Sequence, residues 1–395
     1  MTRLRVLHLI TMLELGGAQR NTLDTVTLLG RDAFAVGLGF GLGGELDEEA
    51  FGLADVALFP IPHLIREVRP LADLAALSEM RRCIRSFRPD IVHTHSSKAG
   101  VLGRLAAHLE GVPLVVHSIH GFGFGPHQLA PVRWAFLAAE RLAARWTDHF
   151  IAVSHRNLDE GARLGLYARE RACVIRSGVE LTTFRTRRGG PELRRELGIP
   201  AAAPLVVQVA CFKPQKAPER FVALAELVAQ RAPEAHFLLV GDGALRGELE
   251  AARRAAGLEG RLHLPGWRRD IPAVLDAATV VTLTSRFEGL PRVLVEARAA
   301  GVAIAAMAVD GVSEVIENGV NGFLAGPGEV GTLADRVCRL LAEPELRGAF
   351  AARGAAGLDE FARETMVRQQ EELYCELART RPKGAGSCAR LLARS

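Results

Sequence analysis

Thirteen consecutive residues, Thr284-Ser285-Arg286-Phe287-Glu288-Gly289-Leu290-Pro291-Arg292-Val293-Leu294-Val295-Glu296, hold the groups best suited to chemistry in this chain. An apolar strand over 279–283 runs into a glutamate, a glycine and then a helix that Pro291 is placed to begin. Proline is favoured at the first helical position, where a missing N–H costs nothing. The amides of Gly289, Leu290, Arg292 and Val293 would point out of that helix start and favour an anion. Glu288 before the anion site and Glu296 beyond it suit a ligand with hydroxyls on both sides of a phosphate. A nucleotide sugar has that layout.

Lysine usage singles out further loops. Of 49 basic residues only Lys98, Lys213, Lys216 and Lys383 are lysine. Where arginine serves almost everywhere, a compact ammonium marks places that a forked guanidinium does not suit. Lys213 and Lys216 share one loop, Cys211-Phe212-Lys213-Pro214-Gln215-Lys216-Ala217-Pro218, with Pro218 opening a helix. Two ammonium groups beside a helix start match a diphosphate without a divalent cation. Lys98 lies in Ser96-Ser97-Lys98-Ala99-Gly100, where cap hydroxyls and a first-turn cation predict an anion or acceptor site. Gly16 and Gly17, between the first strand and a helix, would allow positive φ and close ligand approach.

His120 ends a strand and opens the loop Gly121-Phe122-Gly123-Phe124-Gly125-Pro126, the usual place for a residue acting on substrate. His93 and His95 alternate on a strand and share a face. With His117 and His120 they offer a metal set, but no carboxylate stands at ligand spacing and no D-x-D pair occurs. No metal and no cofactor are expected. Gly39-Phe40-Gly41-Leu42-Gly43-Gly44 fits G-x-G-x-x-G, yet Glu45, Asp47, Glu48 and Glu49 follow it and would repel a pyrophosphate. It reads as a flexible loop with no helix opening. The stretch 131–146 carries Trp134, Trp146, Arg133, Arg141 and Arg145. It reads as core packing with a basic edge, compatible with peripheral membrane contact.

These loops need a scaffold, and its pattern is alternating. Strand-like segments fall at 4–10, 33–39, 56–61, 90–94, 114–119, 149–153 and 173–175, with amphipathic stretches between. A polar stretch over 182–191 reads as a linker, and a second series follows at 205–210, 236–240, 261–264, 280–283 and 302–306. The fold class is therefore α/β: two Rossmann-like parallel-sheet domains with ligand loops at the carboxyl ends of their strands, facing a central cleft. The expected division is 1–185, 186–362, a helix over 363–378 returning to the first domain, and a disordered tail over 379–395. A net charge of +4 is too mild to argue for nucleic acid. Six cysteines without a C-x-x-C pair give neither a disulfide framework nor a thiolate metal site. With no signal-peptide pattern and no membrane-length apolar run, a cytoplasmic location is expected.

The chain resembles the retaining glycosyltransferases of GT-B architecture, family four. Glu288 and Glu296 match that family's E-x7-E motif, with Gly311–Glu314 and Gly319–Gly322 downstream. Gly241-Asp242-Gly243, Ile119-His120-Gly121 and Gly16-Gly17 match its other loops, and His95-Ser96-Ser97-Lys98-Ala99-Gly100 resembles members that build exopolysaccharide, capsule or O-antigen units. The resemblance implies catalytic roles for His120, Glu288 and Lys216. Glu288 would bind sugar hydroxyls, Glu296 the ribose, Lys216 the diphosphate, and Gly289, Leu290 and Pro291 would line the donor. The implied partners are a UDP- or GDP-sugar and a glycan or polyprenyl-diphosphate-linked acceptor. Two departures stand out: Cys211 replaces the usual arginine of the phosphate loop, with Lys213 nearby, and Thr279 replaces the usual aspartate. The alternatives are a nucleotide-sugar 2-epimerase-like enzyme, for which the candidate loops offer little beyond Glu14, and a catalytically inactive sugar-binding protein.

Overall fold

The computed structural model describes residues 3–123, 128–186 and 189–380. They form two compact units: residues 1–178 with the segment from Arg363 onward, and Val179–Ala362. The second unit thus starts at Val179, because the helix Leu181–Arg185 belongs to it rather than to a linker. Arg187, Arg188 and the tail beyond residue 380 lie outside the described residues.

The first unit holds a parallel sheet of β1 (Leu4–Met12), β2 (Phe34–Gly41), β3 (Val56–Pro60), β4 (Ile91–His95), β5 (Leu114–Ile119), β6 (His149–Ala152) and β7 (Ala172–Val174). Their order is β3-β2-β1-β4-β5-β6-β7, so the chain reverses direction across the sheet between β1 and β4. Strands buried on both faces read as nearly continuous apolar runs, as β1 does. Its Leu4, Val6 and Ile10 face the helices Gly17–Leu28 and Arg363–Thr380, while Leu7 and Leu9 face Pro70–Phe87 and Ser97–Leu109. The terminal helix is part of this core: Tyr374 is fully buried and packs edge-on to Phe34, 6.1 Å between centroids.

The second unit holds β8 (Leu205–Val209), β9 (His236–Val240), β10 (Leu262–Gly266), β11 (Val280–Leu283), β12 (Ala303–Met307) and β13 (Phe323–Ala325). Its parallel order, β10-β9-β8-β11-β12-β13, turns at β8 and β11. In such sheets ligands gather beyond the carboxyl ends of the strands at the turning point.

The G-x-G-x-x-G look-alike is structural. A Cβ on Gly41 would come within 1.9 Å of the Leu64 carbonyl oxygen, and one on Gly44 within 2.4 Å of the Leu13 carbonyl. The Gly43 and Gly44 amides donate to Asp47 Oδ2 at 2.7 and 3.1 Å. A short helix, Asp47–Phe51, does open here, against expectation, and its own carboxylate takes the amides a phosphate would need.

Candidate active site

In the second unit four loops meet beyond β8, β9, β11 and β12. The Glu288 carboxylate is buried and accepts Lys216 Nζ on both oxygens at 2.7 Å, with Ser285 Oγ donating to Oε1 at 2.6 Å. The Glu288 amide donates to Asp310 Oδ2 at 2.8 Å. Asp310 itself sits at φ +38°, a left-handed conformation unusual for a side chain other than glycine. Backbone bonds tie the lysine loop to the glutamate loop: Arg286 N donates to Gln215 O at 2.8 Å, and Gln215 Nε2 donates to Phe287 O at 3.2 Å. Below them Thr284 Oγ1 donates to Ala217 O at 3.1 Å. Ala217, fully buried at φ +45°, makes the left-handed turn that places Lys216 over Glu288 before the helix Pro218–Ala229 begins.

Gly241 and Gly243 need no side chain for a plain reason. A Cβ on Gly241 (φ +140°) would lie 2.0 Å from Ala210 O, and one on Gly243 (φ +149°) 2.8 Å from Phe212 O. The Phe212 amide donates to Asp242 O at 2.8 Å, which locks this loop to the Cys211 turn. Pro291 differs from expectation. It takes the N-cap place, φ −77° and ψ 92°, and the helix is Arg292–Ala299. The amide of Leu294 then returns to Pro291 O at 3.0 Å, and the outward amides of the first turn are those of Arg292 and Val293. Glu296 lies half-buried on that helix and Lys213 half-buried on its loop.

In the first unit the loops beyond β1, β4 and β5 carry the remaining candidates. Gly16 is the extended N-cap of Gly17–Leu28 at φ −160°, so the positive φ that the glycine pair permits is not used. Ser96 and Ser97 were expected to cap the helix Ser97–Leu109. Instead Thr11, from β1, accepts the Ala99 amide on Oγ1 at 3.1 Å, and Ser96 Oγ bonds to Thr11 Oγ1 at 2.7 Å. Lys98 is corrected more strongly. It donates to Asp73 Oδ1 at 2.5 Å and to the Glu67 carbonyl, so its charge is matched within the unit. Glu14 is likewise paired, to Arg66 at 2.7 Å.

His120 borders a cavity of about 40 Å³, shared with Ser97, His117, Ser118, Phe122 and Glu140. That is room for a few waters or a substrate hydroxyl. Beneath it Arg104, fully buried, donates to Glu140 Oε2 at 2.5 Å and to Gly100 O at 2.7 Å. Phe124, Gly125 and Pro126 of the predicted mobile loop lie outside the described residues.

The histidine group is larger than the sequence suggests. His8, opposite His93 in the β1–β4 register, joins His93 and His95, and their potential ligand atoms lie within 4.8 Å of one another. Both nitrogens of His93 are already engaged, with Tyr374 Oη at 2.5 Å and Ser118 Oγ at 2.8 Å. Both of His95 meet other histidines at 3.0 Å. Burial pushes His8 down to about 3, with Arg31 adding to the effect. It also pushes His93, His95 and His117 well below the ordinary histidine value, so these rings are neutral at physiological pH. His8 was missed because one histidine on an apolar strand carries no local signal. Asp310 and Tyr374 were missed because the groups they bond, the Glu288 amide and His93, come from distant parts of the chain.

The helix Ala130–Ala144 also departs from a core reading. Trp134 is 65% exposed and Leu129 77%, whereas Trp146 stacks on His108 at 5.3 Å.

Two Rossmann-like units, the second with a lysine-held glutamate beyond β11, define a glycosyltransferase of the GT-B class. More particularly, the chain belongs to the family matched by two models, Glycosyltransferase Family 4 over residues 15–183 and Glycosyl transferases group 1 over residues 190–356. It is 32% identical over 345 residues to the Escherichia coli UDP-Gal:alpha-D-GlcNAc-diphosphoundecaprenol alpha-1,3-galactosyltransferase, covering 86% of this chain and 88% of that protein. It is 29% identical to the 2-deoxystreptamine N-acetyl-D-glucosaminyltransferase of Streptomyces fradiae, covering 83% and 82%. Among solved structures, Anabaena HepE in complex with UDP and glucose superposes with a TM-score of 0.82 at 25% identity, covering 95% of this chain and all 100% of that one.

Proposed function

We propose that the second unit binds a nucleotide sugar and that the enzyme transfers the sugar, with retention of anomeric configuration, to a lipid-linked or growing glycan in cell-surface polysaccharide synthesis. The observation that carries this is the Lys216–Glu288–Ser285 cluster at the turning point of the second sheet. Both oxygens of Glu288 accept hydrogen bonds, an arrangement for positioning sugar hydroxyls rather than for taking a proton. Lys216 has three donors and can present one to a phosphate while holding the carboxylate. Lys213, Glu296 and the amides around Gly289, Leu290 and Pro291 complete the proposed donor site. Gly16 and Gly17 are proposed as further donor-binding residues, and His120 as a catalytic one. Uridine is favoured over guanosine by the donor named for the Escherichia coli relative and by the UDP bound in Anabaena HepE. The acceptor class is favoured by the diphosphoundecaprenol in the same relative's name.

Calorimetry with a panel of UDP- and GDP-sugars tests the donor site. A UDP-sugar should bind, and EDTA should change neither binding nor transfer. Binding of GDP-sugars alone would reverse the base assignment, and EDTA inhibition would reverse the metal-independent one.

No helix among the described residues is long and apolar enough to cross a membrane. Exposed Leu129, Val132 and Trp134 beside exposed Arg141 and Arg145 favour peripheral attachment to an anionic bilayer. The protein should co-sediment with vesicles rich in anionic lipid, and Trp134→Ala should weaken this several-fold. Equal sedimentation of the variant removes this helix from the contact.

A further inference from the structure

Glu288 is held at its backbone as well as at its carboxylate. The peptide joining Phe287 to Glu288 has both of its polar groups engaged. Phe287 O accepts Gln215 Nε2 at 3.2 Å, and the Glu288 amide donates to Asp310 Oδ2 at 2.8 Å. In a trans peptide the C=O and the N–H point in opposite directions, so two loops grip this plane from two sides. A carboxylate only accepts hydrogen bonds, so an N–H must face Asp310. A flipped peptide would turn its carbonyl oxygen onto that carboxylate.

Asp310 makes this contact from a strained backbone. Its φ of +38° lies in the left-handed region, which glycine enters freely and a side chain enters at a cost. Its neighbours are anchored on both sides: Ala308 N donates to Ala325 O at 2.8 Å, and Val312 N donates to Val309 O at 2.9 Å. Such strain persists where the surroundings fix it, and it collects at functional sites. A glycine would make the same turn without strain, but it would bring no acceptor to Glu288.

We propose that Asp310 is a positioning residue for the donor site. By fixing the 287–288 peptide it sets the direction in which the chain enters Gly289 and Leu290, and with it the aim of their amides. Both residues are buried, and neither amide donates to a group among the described residues. Amides of buried residues are nearly always paired, so these two are donors offered to a ligand. That the ligand is a nucleotide sugar rests on the proposed function, whereas the grip on the peptide does not.

Asp310→Gly is the deciding variant, because glycine suits φ +38° better than aspartate and leaves the turn intact. Amide hydrogen exchange of the full-length protein reads the grip without any substrate. Glu288 should be protected in the wild type and in Asp310→Asn, whose Oδ1 can still accept, and should exchange roughly tenfold faster or more in Asp310→Gly. With UDP-galactose as the probe, Asp310→Gly should weaken binding in calorimetry by about tenfold, the usual effect of one hydrogen bond to a charged group. Asp310→Asn should recover most of that loss. The urea midpoint of Asp310→Gly should stay close to the wild type's, since relieved strain offsets the lost bond. Wild-type affinity in Asp310→Gly overturns the proposal, and so does a Glu288 amide equally protected in all three proteins. A loss of affinity that tracks a fall in the urea midpoint makes Asp310 merely structural and overturns it too. Asp310→Asn as weak as Asp310→Gly overturns it as well, because the charge and not the accepting oxygen would then be the working group. Failure of the wild type to bind any nucleotide sugar would sink the proposed function separately, and exchange at Glu288 would still decide the grip.

Discussion

Lys216→Ala is expected to lower kcat/KM for sugar transfer by roughly a hundred- to a thousandfold, the usual cost of removing one donor aimed at developing charge. In the proposed transfer negative charge grows on the departing diphosphate, and Lys216 is the cation held on Glu288 beside it. A second effect accompanies the first. The Glu288 side chain is only 4% exposed, so removing its lysine strands a buried carboxylate on Ser285 alone. Breaking one side of a buried pair costs about 3–5 kcal/mol. Glu288→Ala should lose transfer to a similar degree. The double variant Lys216→Met with Glu288→Gln removes both charges at nearly constant volume, so it should regain stability without regaining activity. Urea midpoints and steady-state kinetics separate the two effects. Full activity in either single variant would end the donor-site assignment.

Mild acid is expected to destabilise the first unit. In the unfolded chain His8, His93, His95 and His117 protonate near the ordinary value of 6.5. In the folded chain burial holds His8 to about 3 and the others well below normal, so they stay neutral. The unfolded state therefore takes up more protons, and stability present above pH 6.5 is lost as the pH falls. Each such proton contributes about 1.4 kcal/mol per pH unit at full slope, so the four together approach about 5 kcal/mol per unit below about pH 6. Against a typical total of about 5–15 kcal/mol, a loss of this kind removes a large share of a domain's stability in mild acid. Urea titrations at pH 7.5 and 5.5 measure it. An unfolding free energy that does not change between them would show that these rings are protonated in the fold.

Much of this protein is legible along the chain because its signals are local. Apolar runs of strand length alternating with amphipathic helices require parallel sheets covered on both faces. Glu288 and Glu296 are placed by one strand, one turn and one helix, and Lys216 by the turn before Pro218. Short-range geometry suffices for them. It does not suffice where partners come from distant elements. Lys98 looked like an anion ligand until the helix Pro70–Phe87 brought Asp73 to it. Ser96 and Ser97 looked like caps until Thr11 arrived from β1.

The sequence by itself determined the two-sheet architecture and the residue types of the proposed donor loops, since period, turn chemistry and spacing act within a few residues. Only the tertiary structure decided how those groups are paired. Parallel strands are joined through helices, so their lateral neighbours are set by packing and not by adjacency. That is why His8 meets His93 and His95, why Tyr374 reaches His93 from the last helix, and why Asp310 holds the Glu288 amide.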